Sequence, residues 1–281
     1  MTNQSFFKLI NPLSIFLSFH AKRELLLQFT KRNIQSEIKG SYLGIVWTVF
    51  TPLLSFAVYA TVFGVIFNGR YRVVEDETGV HYAMGIFLSL NIFRLLADSI
   101  SMAPGLIYSQ PNYVKKVVFP LEIIPMAAMA ANIYRFTVAM VLCLIGIFLM
   151  TDRGFTLDLQ LFPLLIFPIY LLGQGLAWLM SALGVFMRDI GQVTQAVTMI
   201  LLYSSAVFYS TQMVQSKGPA FWAVLRFNPL IHIVEQSRNL LLWQTPLDFA
   251  ALAYCYLIGS ATFLLGYLVF MKIKPAFADV I

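Results

Sequence analysis

SYLGIVWTVFTPLLSFAVYATVFGVIF, residues 41–67, contains no Asp, Glu, Lys or Arg. About 20 apolar residues carry an α-helix across the hydrocarbon core of a bilayer, so this run is long enough to span one. Residues 159–187, 190–216 and 249–271 are equally free of those four residue types. Two more apolar stretches, about 82–108 and 123–150, are interrupted only by Arg94 with Asp98 and by Arg135. Of the 281 residues, 59% are hydrophobic and 11% charged, with a mean hydropathy of +0.77, and a water-soluble fold cannot hide that much apolar side chain. The chain reads as an all-α integral membrane protein with six transmembrane helices, about 41–67, 82–108, 123–150, 161–187, 190–210 and 249–271.

Lys and Arg in short loops are retained on the cytoplasmic side. With the N-terminus inside, the inner segments hold Lys8, Lys22, Arg23, Lys31, Arg32, Lys39, Lys115, Lys116, Arg188, Lys272 and Lys274, eleven in all. The outer segments hold six: Arg70, Arg72, Arg153, Lys217, Arg226 and Arg238. Both termini are therefore expected in the cytoplasm, and the net charge of +6 is a topology signal that gives no reason to expect nucleic-acid binding. Residues 1–40 have no short apolar run ending in small residues, so no cleavable signal is expected. Cys143 and Cys255 fall within spans and read as packing residues.

The connecting segments carry more information than plain linkers. Residues 12–39 read as a basic interfacial helix, although its stripe is ragged: Leu27, Ile34 and Ile38 share a face that Leu25 and Phe29 do not. Residues 109–122, SQPNYVKKVVFPLE, place two prolines and a Lys pair among apolar side chains, which suits either docking of a soluble partner or an interfacial turn anchored by Tyr113. Residues 211–247 are too apolar for a loose loop. Pro219 and Asn228-Pro229 each suit a helix start, and Leu230, Ile233, Val234, Ser237 and Leu241 follow helical spacing. Half-helices at membrane depth persist only when buried in protein or lining a watery cavity, so a lid or re-entrant hairpin on the outer side is expected, with Glu235 and Arg238 able to meet across one turn.

Some chemistry is excluded. No G-x-x-x-x-G-K-[ST] run occurs, so any ATP must be handled by another polypeptide, and the chain is not expected to be an enzyme. His20, His81 and His232 lie in three separate segments and form no metal spacing. Arg94 and Asp98 stand one turn apart and can neutralise each other, while Arg135 can pair with Asp98 only across helices. So few intramembrane charges argue against a proton-coupled carrier.

Five ordered motifs together resemble the permease subunits of ABC-2 type exporters, above all those for polysaccharides: residues 39–47 (KGSYLGIVW) with 51–54 (TPLL), residues 114–120 (VKKVVFP) with Glu122 and Pro125, residues 186–190 (FMRDI), residues 226–230 (RFNPL) and residues 274–279 (KPAFAD). Lys39 stands where that family more often has Arg; it keeps the charge but not the two-pronged fork. The resemblance implies a homodimer of six-span subunits in the bacterial cytoplasmic membrane. Two copies of a separate ABC ATPase would supply ATP and Mg, with no cofactor in this chain. The implied cargo is a lipid-linked polysaccharide of O-antigen, capsule or teichoic-acid type. The implied coupling residues are Lys115, Lys116, Val117, Phe119, Pro120 and Glu122.

Sugar rings present apolar faces that stack on aromatic side chains, so Tyr42, Trp47, Tyr59, Tyr134, Trp178, Tyr203, Phe208 and Tyr209 are candidates to line a glycan path. Lys31, Arg32 and Lys39 are candidates to receive a lipid phosphate, and Asn228, Pro229, Glu235 and Arg238 to form an outer gate. An ABC-2 exporter of a drug, peptide or lipid is the main alternative; a membrane-embedded transferase is disfavoured by the missing acidic or metal cluster.

Overall fold

In the computed structural model, residues 20–38, 44, 46–115, 119–151 and 157–281 are described. Among them all regular secondary structure is helical, with no strand. The elements are α1 (Arg23–Ile38), α2 (Val46–Tyr59, continued by a π-helical stretch Ala60–Ile66), α3 (Gly79–Met102), α4 (Gly105–Tyr108), α5 (Pro111–Lys115), α6 (Ile123–Met150), α7 (Phe162–Phe186), α8 (Ile190–Ser204), α9 (Thr211–Lys217), α10 (Pro219–Leu225), α11 (Pro229–Arg238, continued by a π-helical turn Asn239–Trp243), α12 (Phe249–Ile273) and α13 (Phe277–Val280).

Five of these helical stretches are long and apolar enough to cross a membrane: Val46–Ile66, Gly79–Met102, Ile123–Met150, Leu159–Phe186 and Phe249–Val280. The apolar run that begins at Ile190 stays helical for 15 residues only, then turns over Ser205–Tyr209. The second run also stops early: α3 ends at Met102, and Ala103-Pro104 turns the chain into α4. Local chemistry sets other boundaries. Thr78 and His81 form a capping box at the start of α3, and the Asp248 carboxylate accepts from the Ala250 and Ala251 amides at 2.9 and 3.1 Å to start α12.

The helices differ sharply in their surroundings. Within its most apolar stretch α3 is 89% buried, whereas Val46–Ile66 is only 6% buried. The buried helix is also the less apolar of the two, with hydropathy 1.5 against 2.0, and it carries Ser89, Asn91 and Ser99 inside the protein. Lipid-facing helices must be apolar, while a helix enclosed by others can hold polar groups against its neighbours. The most extensive packing joins α7 to α12. There Gly175 and Gly266 let the two backbones touch: a methyl group at Gly266 would overlap the Gly175 carbonyl, and one at Gly259 would lie 2.6 Å from the Pro168 oxygen. Gly266→Ala is therefore expected to force the helices apart at a cost of about 1–3 kcal/mol, read as a lower thermal transition of the purified chain; an unchanged transition would show that the contact yields freely.

One end of the bundle gathers α1, α4, α5 and the C-terminal tail; it is called the basal end below, and the end holding α9 to α11 the distal end.

Candidate functional site

At the basal end Glu122 forms the N-cap of α6 and is 2% exposed. Its carboxylate accepts from Lys22 at 2.6 Å and from Lys274 at 2.7 Å, and its backbone carbonyl accepts the Trp178 indole N–H at 3.1 Å. Through its carboxylate and its backbone carbonyl, one buried residue thus ties the start of α1, the C-terminal tail and α7 to the segment that precedes α6. Burial alone would raise the Glu122 pKa, but the hydrogen bonds from Lys22 and Lys274 outweigh it and hold the group below its ordinary value. A depressed carboxylate pKa stabilises the fold above the unfolded-state value and loses that contribution as pH falls through the folded-state one. The thermal transition of the wild type is therefore expected to exceed that of Glu122→Gln at pH 7, and the gap to close below pH 4.5, the group's ordinary value. A gap independent of pH would show that the ion pairs contribute nothing.

Around this carboxylate lies an apolar cluster of Ile107, Leu121, Ile124, Trp178, Val185, Tyr267, Phe270 and Phe277. Phe277, fully buried, packs edge-on against Phe270 at 5.5 Å between ring centres, which anchors the tail. On the other side, Phe29 of α1 meets Tyr113 at 5.4 Å and Phe119 at 4.9 Å. Arg32 stands 4.2 Å over the Phe29 ring and donates to the Tyr113 hydroxyl at 3.0 Å and to Gln110 Oε1 at 3.1 Å. The ragged stripe of α1 has a structural reason: Phe29 faces the protein, whereas Leu27 is 67% exposed.

Of the coupling candidates, Phe119, Pro120 and Glu122 belong to this assembly and Lys115 is exposed at the end of α5; Lys116 and Val117 lie outside the described residues. Of the phosphate-receiving candidates, Lys31 is exposed, Arg32 is engaged as above, and Lys39 lies outside the described residues.

At the distal end Arg238 is 1% exposed. It donates to the carbonyls of Ala206 at 2.6 Å and Tyr209 at 3.3 Å, to Ser89 Oγ at 3.3 Å and to Glu235 at 2.5 Å. Its guanidinium lies 4.2 Å from the Tyr71 ring centre. Asn228 caps α11 through the Leu230 amide at 3.0 Å, and its amide nitrogen reaches the Ser204 carbonyl at 3.2 Å and Ser205 Oγ at 3.1 Å. Tyr71 and Tyr82 donate to the carbonyls of Val207 and Phe208 at 2.7 and 3.0 Å. A helix that ends inside protein leaves its last carbonyls without partners; Asn228 takes that of Ser204, and Tyr71, Tyr82 and Arg238 take those of the turn that follows. Pro229, at the first position of α11, has no N–H to leave unpaired. Three gate candidates therefore sit on α11 and the fourth, Asn228, caps it, and both ends are fastened to the end of α8 and the turn that follows.

The aromatic candidates divide. Phe208 gathers Tyr59 at 6.0 Å, Phe63 at 4.9 Å and Tyr203 at 6.2 Å between ring centres, and Tyr209 donates to the Tyr203 carbonyl at 2.7 Å, so four candidates lie together distally. Tyr203 is 61% exposed. It continues an exposed stripe of α8 through Gln192, Gln195 and Met199, spaced to share one helical face. Trp47, 44% exposed, lies apart from them, and Tyr134 is half-buried on α6. Trp178 stands apart from the other candidates: it is fully buried in the basal apolar cluster, with its indole on the Glu122 carbonyl. Tyr42 lies outside the described residues.

Arg94, Asp98 and Arg135 line one cavity of about 280 Å³ between α2, α3 and α6. Sequence reasoning missed Phe29, Lys22 and Lys274 as partners of the segment preceding α6; their only signal was a mixed apolar and basic pattern at the two chain ends.

A family model described as ABC-2 type transporter matches residues 24–242. Two proteins of Klebsiella pneumoniae, each named O-antigen export system permease protein RfbA, are 24% and 23% identical over 263 residues, covering 92% of this chain and 95% of each relative. A protein of the same name from Myxococcus xanthus is 21% identical over 216 residues, covering 77% of this chain and 79% of its own.

Proposed function

The chain belongs to the ABC-2 type transporter family, and from that premise we propose that it is the permease of an exporter that moves a lipid-linked polysaccharide of the O-antigen type across the cytoplasmic membrane. The observation that carries the cargo is the match, along nearly the whole length, to permeases named for O-antigen export. A permease of this family is the membrane-spanning subunit, so ATP and Mg belong to a separate ATPase, two copies of which serve a homodimer of this chain. The basal end is the cytoplasmic one, in keeping with its basic residues. Counting α8 with the five longer stretches makes six crossings, an even number that agrees with α1 and the C-terminal tail meeting at Glu122. Helices α9 to α11 form the outer re-entrant gate.

In the cycle, closure of the ATPases displaces α4, α5 and the residues up to Glu122. Arg32 and Phe29 pass that movement to α1, and Glu122, as the N-cap of α6, passes it to the bundle. At the far end α11 moves with α8, because Asn228 and Arg238 hold the two together. The exposed stripe of Gln192, Gln195 and Tyr203 supports a watery, sugar-compatible path, since lipid-facing surfaces do not favour two glutamines; Tyr59 and Phe208 extend it with stacking faces.

The test is deletion of the chain followed by measurement of lipid-linked glycan inside cells and glycan at the surface. Internal accumulation with loss at the surface, under continued synthesis, is the expected result. Normal surface glycan in a strain without a redundant exporter would reject the polysaccharide cargo and favour export of a drug, peptide or lipid.

A further inference from the structure

We propose that the cavity enclosed by α2, α3 and α6 binds the phosphate of an anionic lipid, with the lipid's chain lying in the adjoining groove between α6 and α7. Arg94 and Arg135 both line the cavity, opposite a single carboxylate, Asp98. Arg94 spends one nitrogen on Ser55 Oγ at 3.0 Å, which fixes its guanidinium toward α2 and leaves further donors on the fork. Asn91 lines the same cavity with 4% of its surface exposed, and its amide nitrogen has no hydrogen-bond partner among the described residues. A buried donor left unpaired is costly, and so are ionised groups at membrane depth. Donors converging from two helices, with cations in excess, ask for an anionic oxygen acceptor, and the planar fork of arginine matches phosphate in particular.

The neighbouring groove says why the anion arrives on a lipid. It has a volume of about 510 Å³ and is lined by apolar side chains such as Ile133, Met140 and Phe167. Leu95 and Phe136 line both spaces, so a polar chamber and an apolar groove share a wall, the division that an amphiphile needs. Arg94 lies eight residues from the basal end of α3, about 12 Å at the helical rise, so an anion held there has its counter-charges inside the protein, beside the apolar groove. The site requires no glycan and does not rest on the export reading.

The test uses the full-length chain, purified and stripped of lipid, with native mass spectrometry to count retained phosphatidylglycerol, polyprenyl phosphate or diacylglycerol. One phosphate-bearing lipid per chain is expected, with no retention of diacylglycerol. Arg94→Gln and Arg135→Gln are each expected to weaken retention at least tenfold, and Arg94→Lys to restore part of it. Preference between the two phosphate lipids identifies the source as membrane lipid or carrier lipid. Displacement of either by equimolar inorganic phosphate would reject the lipid and leave a simple anion site. Should the Gln variants fail to fold, the unaltered chain still decides: phosphatidylglycerol carrying a photoreactive group near its phosphate is expected to label peptides spanning residues 47–52, 91–98 or 132–139, and labelling confined elsewhere would overturn the proposal.

Discussion

Arg238→Met is expected to remove most of the folded chain. Arg238 is buried, and its five neighbours are the Ala206 and Tyr209 carbonyls, Ser89, the Glu235 carboxylate and the Tyr71 ring. Truncating one member of a buried charge pair costs about 3–5 kcal/mol, and although Glu235 keeps 15% of its side chain in solvent, the remaining partners of Arg238 are main-chain carbonyls and Ser89 inside the protein. Here the loss also frees carbonyls of the turn after α8, in a place with few alternative donors. Ala206 adds a strain of its own: its φ is 55°, a left-handed conformation unusual for a residue with a side chain, and the bond from Arg238 to its carbonyl helps to hold it. Arg238→Lys cannot reproduce a fork serving several acceptors and is expected to recover only a minor part. The measurement is the yield of monodisperse chain in mild detergent together with its thermal transition. A Met variant with wild-type yield and transition would show that the distal end is held by apolar packing alone. Glu235→Gln, which keeps a hydrogen-bond acceptor beside the guanidinium, is expected to cost less.

The second large effect concerns Glu122 and falls on transport more than on folding. Glu122→Gln keeps shape and one acceptor but withdraws the charge that holds Lys22 and Lys274 at 2.6 and 2.7 Å. Both lysines are partly exposed, with 33% and 26% of their side chains accessible, so each can turn to water when released and the fold loses little. What is lost is the rigid link from α1 and the tail to the start of α6. Export in cells is expected to fall at least tenfold, with the amount of folded chain within about twofold of wild type. Equal loss of both would make Glu122 a folding residue only, and unchanged export would remove the basal link from the coupling route.

Much of this protein could be read from its linear pattern because a bilayer imposes strong rules on it. A helix in hydrocarbon satisfies its own backbone, so charge-free runs such as 41–67 and 249–271 announce themselves by length. The distal segment was legible for a related reason. Leu230, Ile233, Val234 and Ser237 keep helical spacing and are all fully buried in α11, while Asn228-Pro229 marks its start. The pairing of Glu235 with Arg238 followed from their separation of three.

Other features depend on contacts between residues far apart in the chain, which no local pattern encodes. Hydropathy ranks residues 46–66 above α3 as a membrane span, yet α3 is the enclosed helix, because burial among helices is decided by polar groups finding partners and by small residues permitting close approach. The run from Ile190 is apolar well past Ser204, but the helix stops there, and Asn228, Tyr71, Tyr82 and Arg238, drawn from other segments, take the carbonyls of Ser204 and of the turn after it. Trp178 looked like any membrane aromatic until its indole was found on the Glu122 carbonyl, 56 residues away. The sequence by itself determined the class, the apolar spans and the absence of a nucleotide-binding loop, since these depend on composition and on spacing within one helix. Only the tertiary structure decided that one carboxylate joins both ends of the chain and that Arg94, Asp98 and Arg135 share a cavity, because a charge does not state in sequence which distant partner will neutralise it.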